Sequence, residues 1–299
     1  MELEIKNISK NYGRHTVLNN VSLTLERGVY GLLGPNGAGK STLIQIITGN
    51  LSADGGQVFY NGIPTSKSET AFKKILGYVP QNQGLYDAFT ARKFLEYMAV
   101  LKALPKKDIP QQIHQVLEVV GLLDVQDRRL GSFSGGMCQR ILIAQALLGS
   151  PEVIILDEPT AGLDPKERIK IRNFISRISE NKIIILATHV VSDVESIARE
   201  IILLGDGQIR LKGTPGQLCA TINGRVFECI IDTRNMDMLE EKFIISNLQE
   251  MPDNRLCVRI LGDDASIDSI RGQLKHIEPV FPNLQEVYLD MFDQRQVIG

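Results

Sequence analysis

GPNGAGKST, Gly34 to Thr42, follows the short apolar run Val29–Leu33 and precedes a segment whose Leu43, Ile46 and Ile47 recur at helical spacing before Gly49. Strand, glycine-rich loop, helix is the context in which G-x-x-x-x-G-K-[ST] holds phosphate. Gly34, Pro35, Asn36, Gly37, Ala38 and Gly39 form the expected cradle, in which glycines let backbone N–H groups turn toward phosphate oxygens. The helix that follows adds its positive N-terminal end. Lys40 brings a full charge to the β- and γ-phosphates, the hydroxyl of Ser41 is suited to Mg²⁺, and Thr42 completes the loop.

Working outward, Val153–Leu156 ends in Asp157-Glu158-Pro159. Four apolar residues that deliver two carboxylates at the C-terminal end of a buried strand make a functional placement in a parallel sheet. Asp157 is suited to hold Mg²⁺ through water, and Glu158 to polarise an attacking water as general base. Ile183–Ala187 reads as a second buried strand, and helical segments separate the strands, the pattern of a parallel sheet. Near the start, Val21, Leu23 and Leu25 alternate with Ser22, Thr24 and Glu26, a β pattern. Residues 90–122 read as helical, with Ile113, Val116, Leu117 and Val120 on one face and Gly121 placed to stop the run. Ser134 is the expected N-cap of a helix through Leu148. Ile201–Leu204 and Gln208–Leu211 flank Asp206-Gly207, a hairpin signal.

Beyond Thr214-Pro215-Gly216 the chemistry-bearing motifs stop. Val226–Ile231, Phe243–Leu248 and Leu256–Leu261 read as strands, and Met236–Glu241 and Ile267–Lys275 as helices. This βαββα order resembles part of a ferredoxin-like topology. The last helix carries Leu284, Val287, Tyr288 and Met291 on one face.

Composition narrows the class. Net charge is −2 over 299 residues, so no global field attracts nucleic acid. No apolar run reaches the roughly 18 to 20 residues that a membrane-spanning helix needs, and MELEIKNISK lacks the apolar core of a secretion signal. Cytoplasmic residence is expected. Cys138, Cys219, Cys229 and Cys257 form no CxxC pair and are expected to pack as small apolar groups.

SFSGGMCQR, Ser132 to Arg140, resembles the ABC ATPase signature. Together with the phosphate loop and the acidic strand, in that order, it makes residues 2 to 215 resemble an ABC transporter nucleotide-binding subunit. Further motifs fall in register. YGRHTVLNNVSL puts Tyr12 where the family stacks an aromatic on adenine. GYVPQ puts Gln81 at the Q-loop, where it reaches the metal and the reacting phosphate. AGLD puts Asp164 in the D-loop, and ATHV puts His189 at the switch histidine. His15, His114 and His276 match no motif. The signature departs from its commonest form at Phe133 and Met137, while Ser134, Gly135 and Gly136, the part that can face a phosphate, are intact.

The resemblance implies an α/β fold of the P-loop, ABC ATPase type. Its parts are a mostly parallel core sheet, an antiparallel β subdomain and a helical subdomain at about 82–150. Residues 1–215 would form this nucleotide-binding domain and residues 216–299 a small α+β accessory domain. The implied cofactors are ATP and Mg²⁺. The implied partners are a second nucleotide-binding subunit, expected to be a second copy of the chain, and separately encoded membrane permease subunits. In this reading the protein lies on the inner face of the cell membrane. Gln83–Ala99 and Pro282–Phe292 resemble the ATPases of drug, bacteriocin, sodium and polysaccharide exporters, although Lys93 stands where an acidic residue is more usual. The other class left open is a soluble ABC-type ATPase acting on nucleic acid or ribosomes. That class usually has two nucleotide modules or a long coiled-coil insertion, and this chain has one phosphate loop and no sustained heptads.

Overall fold

A computed structural model of the chain describes residues 1–274 and 276–293. It divides into two compact units, Met1–Arg210 and Leu211–Gly299. Among the described residues no helix is long and apolar enough to cross a membrane, and no disulfide joins the four cysteines.

The first unit holds two sheets. The smaller is made by β1 (Leu3–Tyr12), β2 (His15–Leu25), β4 (Gly55–Tyr60) and β5 (Ile63–Pro64), in the order β2-β1-β4-β5. Its neighbours run antiparallel, and the alternating residues Val21, Leu23 and Leu25 are buried. The larger sheet has the order β10-β9-β3-β8-β7-β6. Its members are β3 (Gly28–Leu33), β6 (Leu76–Val79), β7 (Val153–Asp157), β8 (Ile183–Thr188), β9 (Glu200–Gly205) and β10 (Gln208–Gly213). From β9 through β6 the neighbours are parallel. Every residue of β7 and β8 is buried, which is why both read as unbroken apolar runs.

Helix α1 (Lys40–Ile47) lies in the core that joins the two sheets. Its Leu43, Ile44, Ile46 and Ile47 pack with Leu3, Ile5 and Leu25 of the small sheet and with Ile155, Ile185 and Ile202 of the large one. Five other α-helices complete the larger elements: α2 (Glu69–Ile75), α3 (Ala91–Leu101), α4 (Ile109–Val119), α5 (Gly135–Leu147) and α6 (Pro165–Ile178). The short α7 (Val191–Glu195) follows β8. α5 begins after Ser134, whose hydroxyl accepts from the Met137 N–H at 3.3 Å as an N-cap does.

Register fixes the site. Leu33 of β3 lies beside Thr188 of β8, Ala187 beside Asp157 of β7, and Leu156 beside Val79 of β6. The phosphate loop, the acidic pair, His189 and Gln81 therefore all leave the same C-terminal edge of one parallel sheet.

The second unit starts with α8 (Pro215–Ala220) and continues β11 (Val226–Asp232), α9 (Met236–Lys242), β12 (Ile244–Met251), β13 (Arg255–Leu261), α10 (Asp264–Asp268), β14 (His276–Pro279) and α11 (Leu284–Phe292). The sheet order is β12-β13-β11-β14, antiparallel throughout, the order of a ferredoxin-like split β-α-β sheet. One expected element differs. The helix expected over Ile267–Lys275 is a single turn, α10, that starts earlier because Asp263 caps it through the Ser266 N–H at 2.7 Å. Residues 271–273 form a 3₁₀ turn through Gly272, a poor helix former. Lys275 itself lies outside the described residues. His276–Pro279, which carried no strand signal, then pairs with β11.

A fully buried carboxylate seats α11. Glu286 accepts from Arg259 Nε at 2.8 Å and from Ser246 Oγ at 2.8 Å, and its other oxygen accepts from Arg259 at 3.0 Å and the Asn283 N–H at 2.8 Å. Burial pushes the Glu286 carboxyl up, but Arg259, Asn283 and Ser246 outweigh it and hold it below the usual range. Glu286→Ala leaves Arg259 without its carboxylate, and breaking a buried pair from one side costs about 3–5 kcal/mol. The contribution is present above the unfolded carboxyl pKa of about 4.3 and is lost as pH falls through the lower folded value. Urea unfolding of Glu286→Ala beside wild type is expected to show a wide gap at pH 7 that narrows below about pH 4.

Candidate functional site

The phosphate loop closes on itself around Lys40. Gly39, the residue before α1, has φ 101°, and a Cβ there would lie 2.8 Å from both the Val17 carbonyl oxygen and Leu18 Cδ2. Only glycine fits that backbone against β2. Lys40 is 8% exposed, and its Nζ donates to the carbonyls of Gly34 at 2.5 Å and Pro35 at 3.2 Å. Burial lowers the Lys40 pKa, while the Glu158 and Asp157 carboxylates oppose that shift.

A cleft of about 300 Å³ opens over the loop. Its walls are Pro35, Asn36, Gly37, Ala38, Gly39, Lys40, Ser41 and Thr42, faced by Gln81, Asp157, Glu158, His15 and Val17. Burial and the neighbouring Glu158 charge raise the Asp157 carboxyl, against Lys40 and the Ser41 hydroxyl. Positive loop, acidic pair and hydroxyl thus meet in one partly buried pocket.

Glu158 has the most constrained geometry here. Its φ of 51° is left-handed, a conformation that costs a non-glycine residue about 1–3 kcal/mol and persists where surroundings impose it. The surroundings are on the neighbouring strand. The Glu158 N–H donates to the Ala187 carbonyl at 2.8 Å, Thr188 Oγ1 donates to Glu158 Oε2 at 3.2 Å, and His189 Nδ1 lies 2.8 Å from Oε1. The carboxylate is 8% exposed, yet it borders the cleft. A buried carboxylate beside phosphate-binding groups, held by a histidine and a threonine, can take a proton from water at a fixed place.

The remaining expected residues stand outside the cleft. Ser134, Gly135 and Gly136 form the start of α5; Ser134 and Gly135 are exposed. Gly136 is tightly covered, since a Cβ there would meet the Glu167 carboxylate at 2.5 Å. Asp164 is the N-cap of α6, accepting from the Glu167 N–H at 2.9 Å. Tyr12, half exposed, closes the β1–β2 hairpin and is not a wall of the cleft. Its cross-strand partner is His15, which is. His15 matches no motif. The turn at Gly13-Arg14 puts it opposite Tyr12, and that short turn is the sequence signal for its place.

Residues 18–161 match the family described as ABC transporter. The ABC transporter ATP-binding protein YxlF of Bacillus subtilis, itself uncharacterized, is 34% identical across 96% of this chain and 98% of its own length. The chain belongs to the ABC transporter ATP-binding proteins. This ABC subunit is accordingly an ATPase. The linearmycin resistance ATP-binding protein LnrL of the same bacterium is 36% identical over 74% of this chain and 72% of its own length. Among solved structures, an ATP-binding subunit of an ABC transporter has a TM-score of 0.66 at 27% identity, covering 74% of this chain and 93% of that one. The dimeric cassette MJ0796 bound to ADP and Pi has a TM-score of 0.63 at 26% identity, covering 71% and 98%.

Proposed function

We propose that this ABC ATPase is the motor of an exporter, working as a dimer of two copies on a separately encoded membrane permease at the inner face of the membrane. The observation that carries the hydrolytic part is Glu158, strained and clasped by Thr188 and His189 at the border of the cleft that Lys40 lines. The export direction is supported by the resistance named for LnrL and by the exporter-like stretches Gln83–Ala99 and Pro282–Phe292.

In the proposed cycle the loop Gly34–Thr42 wraps the phosphates. Lys40 exchanges its two carbonyl partners for β- and γ-phosphate oxygens. Tyr12 and His15, partners at the hairpin end, receive the adenine. Ser41, Asp157 and Gln81 offer hard oxygens in the lining of the cleft, a donor set that fits Mg²⁺. The ion supplies neutralisation of phosphate charge when bound. Glu158 accepts the proton of the attacking water, and His189 holds the carboxylate in place.

Ser134, Gly135 and Gly136 of one copy close on the γ-phosphate held by the other, with Asp164 beside them. An exposed serine that caps a helix start, with the first-turn N–H groups behind it, is suited to an anion. The γ-phosphate bridges the halves, and hydrolysis removes the bridge. Residues 82–150 contact the permease, and Gln81 at their root relays the state of the phosphate.

Co-expression with the products of the neighbouring reading frames, one of which is expected to be a multi-span membrane protein, tests the transport part. The chain and that membrane protein are expected to purify together, with an ATPase rate in lipid vesicles several-fold above that of the chain alone. A chain that binds no neighbouring membrane protein, yet whose ATPase is stimulated by RNA or ribosomes, contradicts it.

A further inference from the structure

Two neighbouring strands deliver the residues that act on the γ-phosphate, and a buried polar contact ties the loops that follow them. β7 runs out through Glu158, Pro159 and Thr160 toward α6. β8 runs out through Thr188 and His189 into α7. Thr160 and Asp193 are each 1% exposed, and Thr160 Oγ1 donates to Asp193 Oδ2 at 2.5 Å. Arg172 of α6 closes the group: it donates to the Ser192 carbonyl at 2.5 Å and lies 3.9 Å from Asp193 Oδ1.

This is an expensive way to fill a core. Two apolar side chains of the same shape would pack there without desolvating a carboxylate, and buried polar pairs are best attested as devices that select one arrangement. Two residues before Thr160 stands Glu158, and four before Asp193 stands His189, whose rings and oxygens meet at 2.8 Å. A slip of one loop against the other separates that contact first. The other ties between the loops lie at the strand ends, where the Glu158 N–H and the Thr188 hydroxyl reach across. The Thr160–Asp193 contact is the second fixed point, and two points set an orientation where one sets only a distance.

We infer that Thr160 and Asp193 are positioning residues for hydrolysis, a brace that holds the Glu158 loop and the His189 loop in the one register that sets Glu158 against the attacking water. The inference rests on the reading of Glu158 as base. Neither residue touches the cleft over Lys40, so the brace acts on turnover and not on nucleotide binding.

The test is Thr160→Val, which keeps shape and removes the donor, beside Thr160→Ser, which restores it, and Thr160→Ala, which removes the donor without adding bulk. Misplacement of about an ångström costs on the order of a hundredfold in rate. Thr160→Val is expected to lose about ten- to a hundredfold in kcat with KM and the calorimetric ATP affinity kept within twofold. Thr160→Ser is expected to turn over like wild type. A Thr160→Val enzyme with wild-type kcat overturns the brace, and so does one whose ATP affinity falls together with kcat, since that marks general loosening. If Thr160→Val does not fold, Thr160→Ala decides by the same split. Glu158→Gln in the same assay separates the two levels. If it is inactive while Thr160→Val is normal, the brace alone fails. If it hydrolyses ATP normally, the reading beneath the brace fails.

Discussion

Lys40→Ala is expected to abolish ATP turnover and to weaken ATP binding at least about 30-fold, because truncating one partner of a desolvated charge pair costs about 2–5 kcal/mol. The fold is expected to survive. Lys40 is buried, burial lowers its pKa, and its Nζ rests on two carbonyls of its own loop. Burial opposes the charged form while the Glu158 and Asp157 carboxylates favour it, so alanine is expected to change stability little. Calorimetric ATP titration beside a thermal melt checks both halves. Weak binding with a little-changed melting temperature is the expected pair. Wild-type affinity contradicts the assignment of Lys40 to the phosphates.

Glu158→Gln is the second large effect. Glutamine keeps the size of the side chain and an oxygen for the Thr188 hydroxyl, but it cannot accept the water's proton. General-base catalysis contributes roughly 10² to 10⁴ in rate, so phosphate release is expected to fall to near background. ATP binding is expected to persist through Lys40, Ser41 and Asp157. A Glu158→Gln protein that releases phosphate at the wild-type rate removes Glu158 from the role of base.

The parts of this protein visible in its sequence are those whose physics is local. The phosphate loop is nine consecutive residues, Gly34 to Thr42, and its glycines are needed for backbone reasons that composition alone betrays. β7 and β8 are buried on both faces, so their apolar runs end where the carboxylates and the histidine begin. What escaped reading depends on pairing between distant residues. His15 lines the cleft from a place across a hairpin from Tyr12. Thr160 and Asp193 are 33 positions apart, and each alone looks like a surface polar residue. Glu286 sits in a helix whose apolar face reads Leu284, Val287, Tyr288 and Met291, yet it is buried more fully than Tyr288 or Met291 because Arg259 meets it from β13. β14 is four residues long, too short to carry a period.

Ser134 and Gly136 belong to a different category. They stand outside the cleft of their own chain, and the proposed cycle gives them work only in a second copy. Size-exclusion chromatography with light scattering on Glu158→Gln, with and without Mg-ATP, addresses that directly. A monomer is expected without nucleotide, a dimer with saturating ATP, and a monomer again when Ser134→Arg is added, because the arginine side chain occupies the phosphate site across the interface. An ATP-bound Glu158→Gln protein that stays monomeric at saturating ATP, or a dimer indifferent to Ser134→Arg, contradicts it.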